Sequence, residues 1–203
     1  GGGLELALAC SHILVVDDPR TALALPEVRI GIFPGWGGAK RLPQRIGAAQ
    51  ALDLMLGGRS LTARQALKLG LADAIVPPRL KLQAAQQIIL HQAYPRKGNW
   101  LRALAQHKLF TIAHNALVYK IAEHKLRKQD PWQHYPAPGF ILQLWHTYQG
   151  EPRLAARPAI HQLVQNPVTY NLLRVYRLQE KLKALGRTVP GQPVTKVSHV
   201  HVI

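Results

Sequence analysis

The stretch GGGLELALA at residues 1–9 decides how this chain begins to fold. Its glycines are followed by strong helix formers, a pattern that predicts a short helix opening at Gly2 or Gly3. Glu5 then lies one turn inside the helix, beside first-turn N–H groups that have no partner within the helix. Those N–H groups and the helix dipole favour negative charge, and glycine lets a carbonyl group approach the backbone closely. The stretch therefore suits the stabilisation of a developing oxyanion.

A second carboxylate follows in the stretch LPEVRIG at residues 25–31. We interpret this stretch as a loop that leads into a short extended piece, with Glu27 in the loop. Two carboxylates beside an oxyanion site suit proton transfer next to a carbonyl group, one acting on water and the other on carbon. The residues alone leave a second interpretation open, in which Glu5 only complements the helix dipole and Glu27 is solvated.

Short strands and helices alternate over the next part of the chain. We predict strands at 12–16 and 74–76, helices at 39–46, 48–56 and 63–69, and a glycine-rich turn in PGWGG at 34–38. Thr62 and Gln65 form a capping box for the third helix. This alternation is typical of an α/β fold.

From about residue 80 the pattern becomes helical. We predict helices at 80–93, 100–128, 138–149, 154–165 and 167–185, with Asn166 as N-cap before Pro167. The composition of 187–194 is typical of a linker, and the alternating run at 199–203 predicts a strand. We expect three parts, residues 1–95, 96–186 and 187–203. Because both ends of the chain look cut, we expect it to be an interior piece of a longer polypeptide.

The composition of the chain favours an anionic partner and argues against a transmembrane protein. The chain of 203 residues carries 26 Lys and Arg against 10 Asp and Glu, a net charge of +16 that invites anionic partners. A basic run at 120–128 is either a solvated helix face or a contact for such a partner. No aromatic residues alternate with it for base stacking, which argues against specific nucleic-acid recognition. No apolar run approaches the roughly 20 residues of a transmembrane helix.

The sequence predicts neither a metal site nor a reactive cysteine. The ten histidines lack partners at ligand spacing, so we predict no metal site. Cys10 has no cationic neighbour in the sequence, and we expect a buried, inert thiol.

Several ordered motifs together resemble the crotonase (enoyl-CoA hydratase/isomerase) family. They are GGGLELALAC at 1–10, LPEVRIG at 25–31, PGWGG at 34–38 with RLP at 41–43, ALDLML at 51–56, GRS at 58–60 and ALKLGLAD at 66–73. Two later stretches, EHKLRKQ at 123–129 and YPAP at 135–138, resemble the multifunctional members of that family. In those members a helical linker joins the hydratase domain to a 3-hydroxyacyl-CoA dehydrogenase.

The resemblance implies an α/β fold class, with the C-terminal half of a crotonase-type fold at residues 1–95. An α-helical linker region would follow at 96–186, and residues 187–203 would hold a linker and the first strand of a dehydrogenase nucleotide-binding domain. The family takes a second oxyanion N–H and much of its CoA site from sequence that precedes this stretch. We therefore expect the stretch by itself to be inactive.

The resemblance also assigns roles to residues. It implies that Gly2 supplies an oxyanion N–H, that Glu5 activates water and that Glu27 protonates the α carbon. The reaction would be reversible hydration of a trans-2-enoyl-CoA to the 3-hydroxyacyl-CoA, with or without isomerisation of the double bond. The remaining residues expected around the substrate are Gly3, Pro34, Gly35 and Trp36. Trp36 would either shorten the acyl pocket or cap a hydrophobic turn.

The implied substrate is a CoA thioester, and the implied cofactor, NAD, would belong to the dehydrogenase part rather than to this chain. The implied partner is a thiolase β subunit. We expect a bacterial cytoplasmic protein, with the mitochondrial matrix as the alternative. A rival hypothesis from another class is a non-catalytic, basic helical interaction module.

Overall fold

The computed structural model describes residues 1–91, 108–148, 150–151 and 157–185. The helices are α1 Gly2–Ala9, α2 Gly38–Ile46, α3 Ala48–Gly57, α4 Ala63–Lys68, α5 Lys81–His91, α6 Lys108–Gln129, α7 Pro136–Tyr148, α8 Arg157–Gln165 and α9 Pro167–Leu185. The strands are β1 Leu14–Val16 and β2 Ala74–Val76, and two 3-10 helices span Glu27–Ile30 and Pro78–Leu80. None of the helices in these parts of the chain combines the length and apolarity that a membrane crossing requires.

The two strands pair in parallel, with Leu14 opposite Ala74. Parallel pairing needs a long connection, which here contains α2, α3 and α4. β1 is shorter than the predicted strand at 12–16 because the backbone N–H of Ile13 donates to the carboxylate of Asp73 at 2.7 Å. The predicted strand at 74–76 is present as β2.

A single hydrophobic cluster joins the α/β part to the helical part. Leu25, Leu42 and Leu52 are at most 1% exposed, and Ile141 and Leu144 of α7 pack in the same cluster. Burial of this kind is the main force that holds the elements together. The core therefore lies directly behind α1 and α2, the helices on which the candidate site depends.

The local helix signals predicted from the sequence are present. Thr62 accepts from the N–H of Gln65, and the side chain of Gln65 accepts from the N–H of Thr62, which completes the capping box of α4. Asn166 accepts from the N–H of Val168 at 2.8 Å and so caps α9. These signals involve neighbours in sequence, which is why a pattern could identify them.

Two local predictions are wrong. The stretch predicted as a loop and extended piece contains a 3-10 helix, which ends where Gly31 adopts the left-handed conformation, with φ of +78°. Cys10, predicted to be buried, is exposed because it lies just past the end of α1 in extended backbone. The linker at 187–194, the strand at 199–203 and the boundaries after residues 95 and 186 lie outside the described residues.

Candidate active site

Glu5 is a buried carboxylate held by a neighbouring loop. Its side chain lies on α1, the residue is 4% exposed, and Oε1 accepts hydrogen bonds from the N–H groups of Trp36 at 2.9 Å and Gly38 at 2.8 Å. Gly37 between them has φ of +97°, a conformation that glycine adopts without strain. Burial of a carboxylate is costly unless such donors satisfy it, so these bonds fix both its position and its orientation.

Gly38 makes this close approach possible. A Cβ at position 38 would lie 2.9 Å from Oε1 of Glu5 and 3.0 Å from Cδ1 of Leu25, so any side chain there would displace these groups. The sequence predicts that Gly38 lies in a glycine-rich turn and does not predict a role for it. The signal was the repeated glycine in PGWGG, which indicates close backbone approach without telling which group approaches.

Glu27 lies at the first position of the 3-10 helix and faces the beginning of α1. Its side chain is 11% exposed, and Oε1 lies 3.7 Å from the amino nitrogen of Gly1. The other oxygen, Oε2, is buried without a hydrogen-bond partner. The structure therefore contradicts the interpretation in which Glu27 is solvated.

The surroundings of Glu27 favour its protonated form. Burial raises the pKa of Glu27 above its ordinary value of 4.5, and the negative charge of Glu5 raises it further. A hydrogen bond from the backbone N–H of Glu27 itself opposes this effect without cancelling it. Glu27 lies against Gly1 at the start of α1 and Glu5 lies in the first turn of the same helix, so both carboxyl groups lie at the N-terminal end of α1.

Gly2 and Gly3 begin α1, and their N–H groups belong to the first turn, where a helix offers no internal partner. The ring of Trp36 lies against Gly2, since a Cβ on Gly2 would be 3.0 Å from Cζ3 of the indole. Trp36 is nevertheless 78% exposed, so the ring covers one face of Gly2 and presents the other side to solvent.

The other predicted site residues lie around the same turn and differ in how exposed they are. A Cβ on Gly3 would meet nothing within 4 Å, so space beside it is open. Gly35 is exposed, whereas Pro34 is fully buried and supports the turn from beneath. The structure thus brings Gly2, Glu5, Glu27 and Trp36 together.

Thr169 contributes to this region from the helical part, a role that was not predicted from the sequence. It is fully buried in the first turn of α9, where Oγ1 lies 2.9 Å from the carbonyl oxygen of Gly31. The two residues are 138 positions apart in sequence. No local pattern could have revealed that contact.

The basic run at 120–128 is partly neutralised by carboxylates. Lys125 pairs with Asp53 at 3.0 Å and Arg127 pairs with Glu123 at 3.1 Å. Within the described ranges, no three His, Cys, Asp or Glu side chains come together as a metal site.

Comparison with known proteins identifies relatives over much of this chain. Residues 1–126 match the family model of enoyl-CoA hydratase/isomerase. The fatty acid oxidation complex subunit alpha of Shewanella loihica is 42% identical over 142 residues, which make up 70% of this chain. This chain spans 20% of the length of that relative.

Two solved structures share the fold. Human mitochondrial delta3-delta2-enoyl-CoA isomerase is 19% identical with a TM-score of 0.50, and the match covers 89% of this chain and 58% of the isomerase. An enoyl-CoA hydratase/isomerase from Pseudoalteromonas atlantica T6c gives the same identity and TM-score, with 88% of this chain and 58% of that chain covered. These likenesses confirm the predicted α/β, crotonase-type fold.

Proposed function

The chain belongs to the enoyl-CoA hydratase/isomerase family, and from that premise we propose that Glu5 and Glu27 hydrate a trans-2-enoyl-CoA. The observation that carries the proposal is the meeting of two poorly exposed carboxyl groups at the glycine-lined start of α1. Paired carboxyl groups in different environments suit reactions in which one proton is removed and another is delivered.

Hydration adds the oxygen of water to C3 of the enoyl group and a proton to C2. Glu5, oriented by the N–H groups of Trp36 and Gly38, accepts a proton from water as the oxygen bonds to C3. The electrons of the double bond move toward the thioester carbonyl, and Glu27 gives its proton to C2. Glu5 ends protonated and Glu27 ionised, and exchange with solvent restores both.

The thioester oxygen gains negative charge during this step, and the N–H of Gly2 is placed to stabilise it. A first-turn N–H combines an unpaired donor with the positive end of the helix dipole. Loss of one such donor typically costs about 10²–10³-fold in turnover. The raised pKa of Glu27 matches its role, since a proton donor must keep its proton until C2 receives it.

The direct test replaces each carboxylate by its amide in the full-length enzyme. Glu27→Gln and Glu5→Gln should each lower kcat for hydration by about 10²–10⁴-fold, the usual contribution of a general acid or base, with little change in substrate binding. Asp17→Asn is the control, because Asp17 is an exposed carboxylate just past β1. Hydration by Glu27→Gln at nearly the wild-type rate would contradict the assignment.

We further propose that this hydratase acts in fatty acid oxidation, in the bacterial cytoplasm, and that its 3-hydroxyacyl-CoA product passes to an NAD-dependent dehydrogenase and then to a thiolase partner subunit. The support is the identity with an alpha subunit of a fatty acid oxidation complex. The full-length protein should form NADH from an enoyl-CoA only when its hydratase carboxylates are intact. Purification should recover a thiolase subunit together with it.

A further inference from the structure

Thr169 joins the corner between α8 and α9 to the segment that carries Glu27. Its Oγ1 lies 2.9 Å from the carbonyl oxygen of Gly31 and also 2.9 Å from that of Leu163 in α8. A hydroxyl group has one proton, which these two acceptors share. Because Thr169 is fully buried, water cannot replace the bond.

The fit between the two segments is close. A Cβ on Gly31 would lie 2.8 Å from both Cα and Oγ1 of Thr169, so only glycine allows the backbones to approach in this way. The cap from Asn166 to the N–H of Val168 fixes the start of α9 and therefore the position of Thr169.

Gly31 in turn belongs to the turn that holds Glu27. Its N–H donates to the carbonyl of Val28 at 3.1 Å, and the N–H of Ile32 donates to the carbonyl of Glu27 at 3.1 Å. The carboxyl group accepts a hydrogen bond from the backbone N–H of its own residue, whereas Oε2 has no hydrogen-bond partner. The position of the carboxyl group therefore depends on the backbone beneath it.

We infer that Thr169 is a positioning residue for the hydration reaction, acting through Gly31 to hold the Glu27 carboxyl group against the start of α1. The kinetic part of this inference rests on the proposed function. Thr169, a residue of the helical part, then acts on the chemistry through the backbone of Gly31.

The test uses Thr169→Val, which keeps the shape of the side chain but removes the donor, and Thr169→Ser, which keeps the donor. Titration of the Glu27 carboxyl carbon by carbon-13 NMR should give a lower pKa in Thr169→Val, because a looser turn admits water. The other charged side chain that acts on Glu27, the carboxylate of Glu5, is unchanged. The kcat for hydration should fall by about 10- to 100-fold with KM nearly constant, as expected for a misplaced catalytic group.

Thr62→Val is the matched control, since it also removes a threonine hydroxyl bond but at the exposed start of α4. It should lower the Tm and leave both the Glu27 titration and kcat unchanged. Thr169→Ser should behave as wild type. If Thr169→Val does not fold, Thr169→Cys, whose S–H is a weaker donor, should shift the titration in the same direction by less.

An unchanged Glu27 titration in the folded Val or Cys variant would overturn the inference, as would a serine variant that behaves like valine. A shifted titration in a protein that hydrates no enoyl-CoA would overturn the proposed function and leave the positioning of Glu27 by Thr169 supported.

Discussion

The core of the α/β part at residues 1–91 and the last helix, α9, of the helical part at residues 108–185 use their apolar side chains in different ways. In the first part, Leu25, Leu42 and Leu71 are almost completely buried. In the second part, α9 exposes several large side chains, among them Leu182 at 67%. The carboxylates of the candidate site lie in the well-packed part, where a dense core keeps groups in fixed positions. The difference teaches that α9 is attached by a few specific contacts, such as Thr169, rather than by broad burial.

The largest expected effect tests this contrast directly. Leu42→Ala should lower the free energy of unfolding by about 2–5 kcal/mol, because it removes a fully buried side chain and leaves a cavity. Leu182→Ala removes the same atoms from the exposed face of α9 and should change it by no more than about 0.5 kcal/mol. Urea-induced unfolding measures both. Equal losses in the two variants would show that the comparison is wrong.

The next effect concerns two glycines within the first part. Gly38→Ala should cost about 1–3 kcal/mol, because the new methyl group would collide with Glu5 and Leu25. It should also slow hydration by displacing the Glu5 carboxylate. Gly57→Ala is the control, since a Cβ there meets nothing within 4 Å, and it should stabilise α3 by roughly 0.5–1 kcal/mol. Destabilisation by both variants would point to a general intolerance of glycine replacement rather than to contact with Glu5.

A smaller effect follows from the pH dependence of Glu27. Because its pKa is raised in the folded protein, unfolding releases a proton and stability falls as the pH rises from 4.5 through the folded pKa. Glu27→Gln cannot ionise, so it should be more stable than wild type at about pH 7, by about 1 kcal/mol, with the advantage lost below the unfolded pKa. Thermal unfolding across this range measures the difference. An advantage that persists in acid would assign it to packing instead.

The smallest expected effect lies between the two parts. Asp53 forms ion pairs with Lys125 of α6 at 3.0 Å and with Arg59 at 2.6 Å. Partial burial alone would raise the pKa of Asp53, but the two cations outweigh it and lower the pKa. The stabilisation is therefore present above the ordinary pKa and lost as the pH falls through the lowered value. Asp53→Asn should cost about 0.2–1 kcal/mol at low salt and less at high salt, as unfolding measurements at two salt concentrations would reveal.

The sequence predicted those features that depend on near neighbours. The capping box at Thr62 and the cap at Asn166 follow from residues two or three positions apart. The two carboxylates and their shared location were also predicted, although their catalytic roles stay a prediction. The capture of Glu5 by two N–H groups more than 30 residues away could not be predicted, because no periodicity records a contact across the fold.

Two further differences between the predicted and the observed structure also arise from contacts across the fold. The 3-10 turn at Glu27 ends at Gly31, which has a left-handed backbone. Thr169, far along the chain, packs so closely against Gly31 that no side chain fits there. Cys10 was expected to be buried because its neighbours are apolar, but the end of α1 turns it outward. In both cases the tertiary context decided what composition left open.

The exposed indole of Trp36 against Gly2 also makes the site optically observable. If the proposed thioester binds at the Gly2 N–H, it replaces water at the edge of that ring and changes the polarity around a natural fluorophore. In a variant whose other three tryptophans are replaced by phenylalanine, emission from Trp36 would then follow the arrival and departure of unlabelled ligand in real time, separately from turnover. Variants that have lost hydration activity could be compared in the same way by how much ligand they bind.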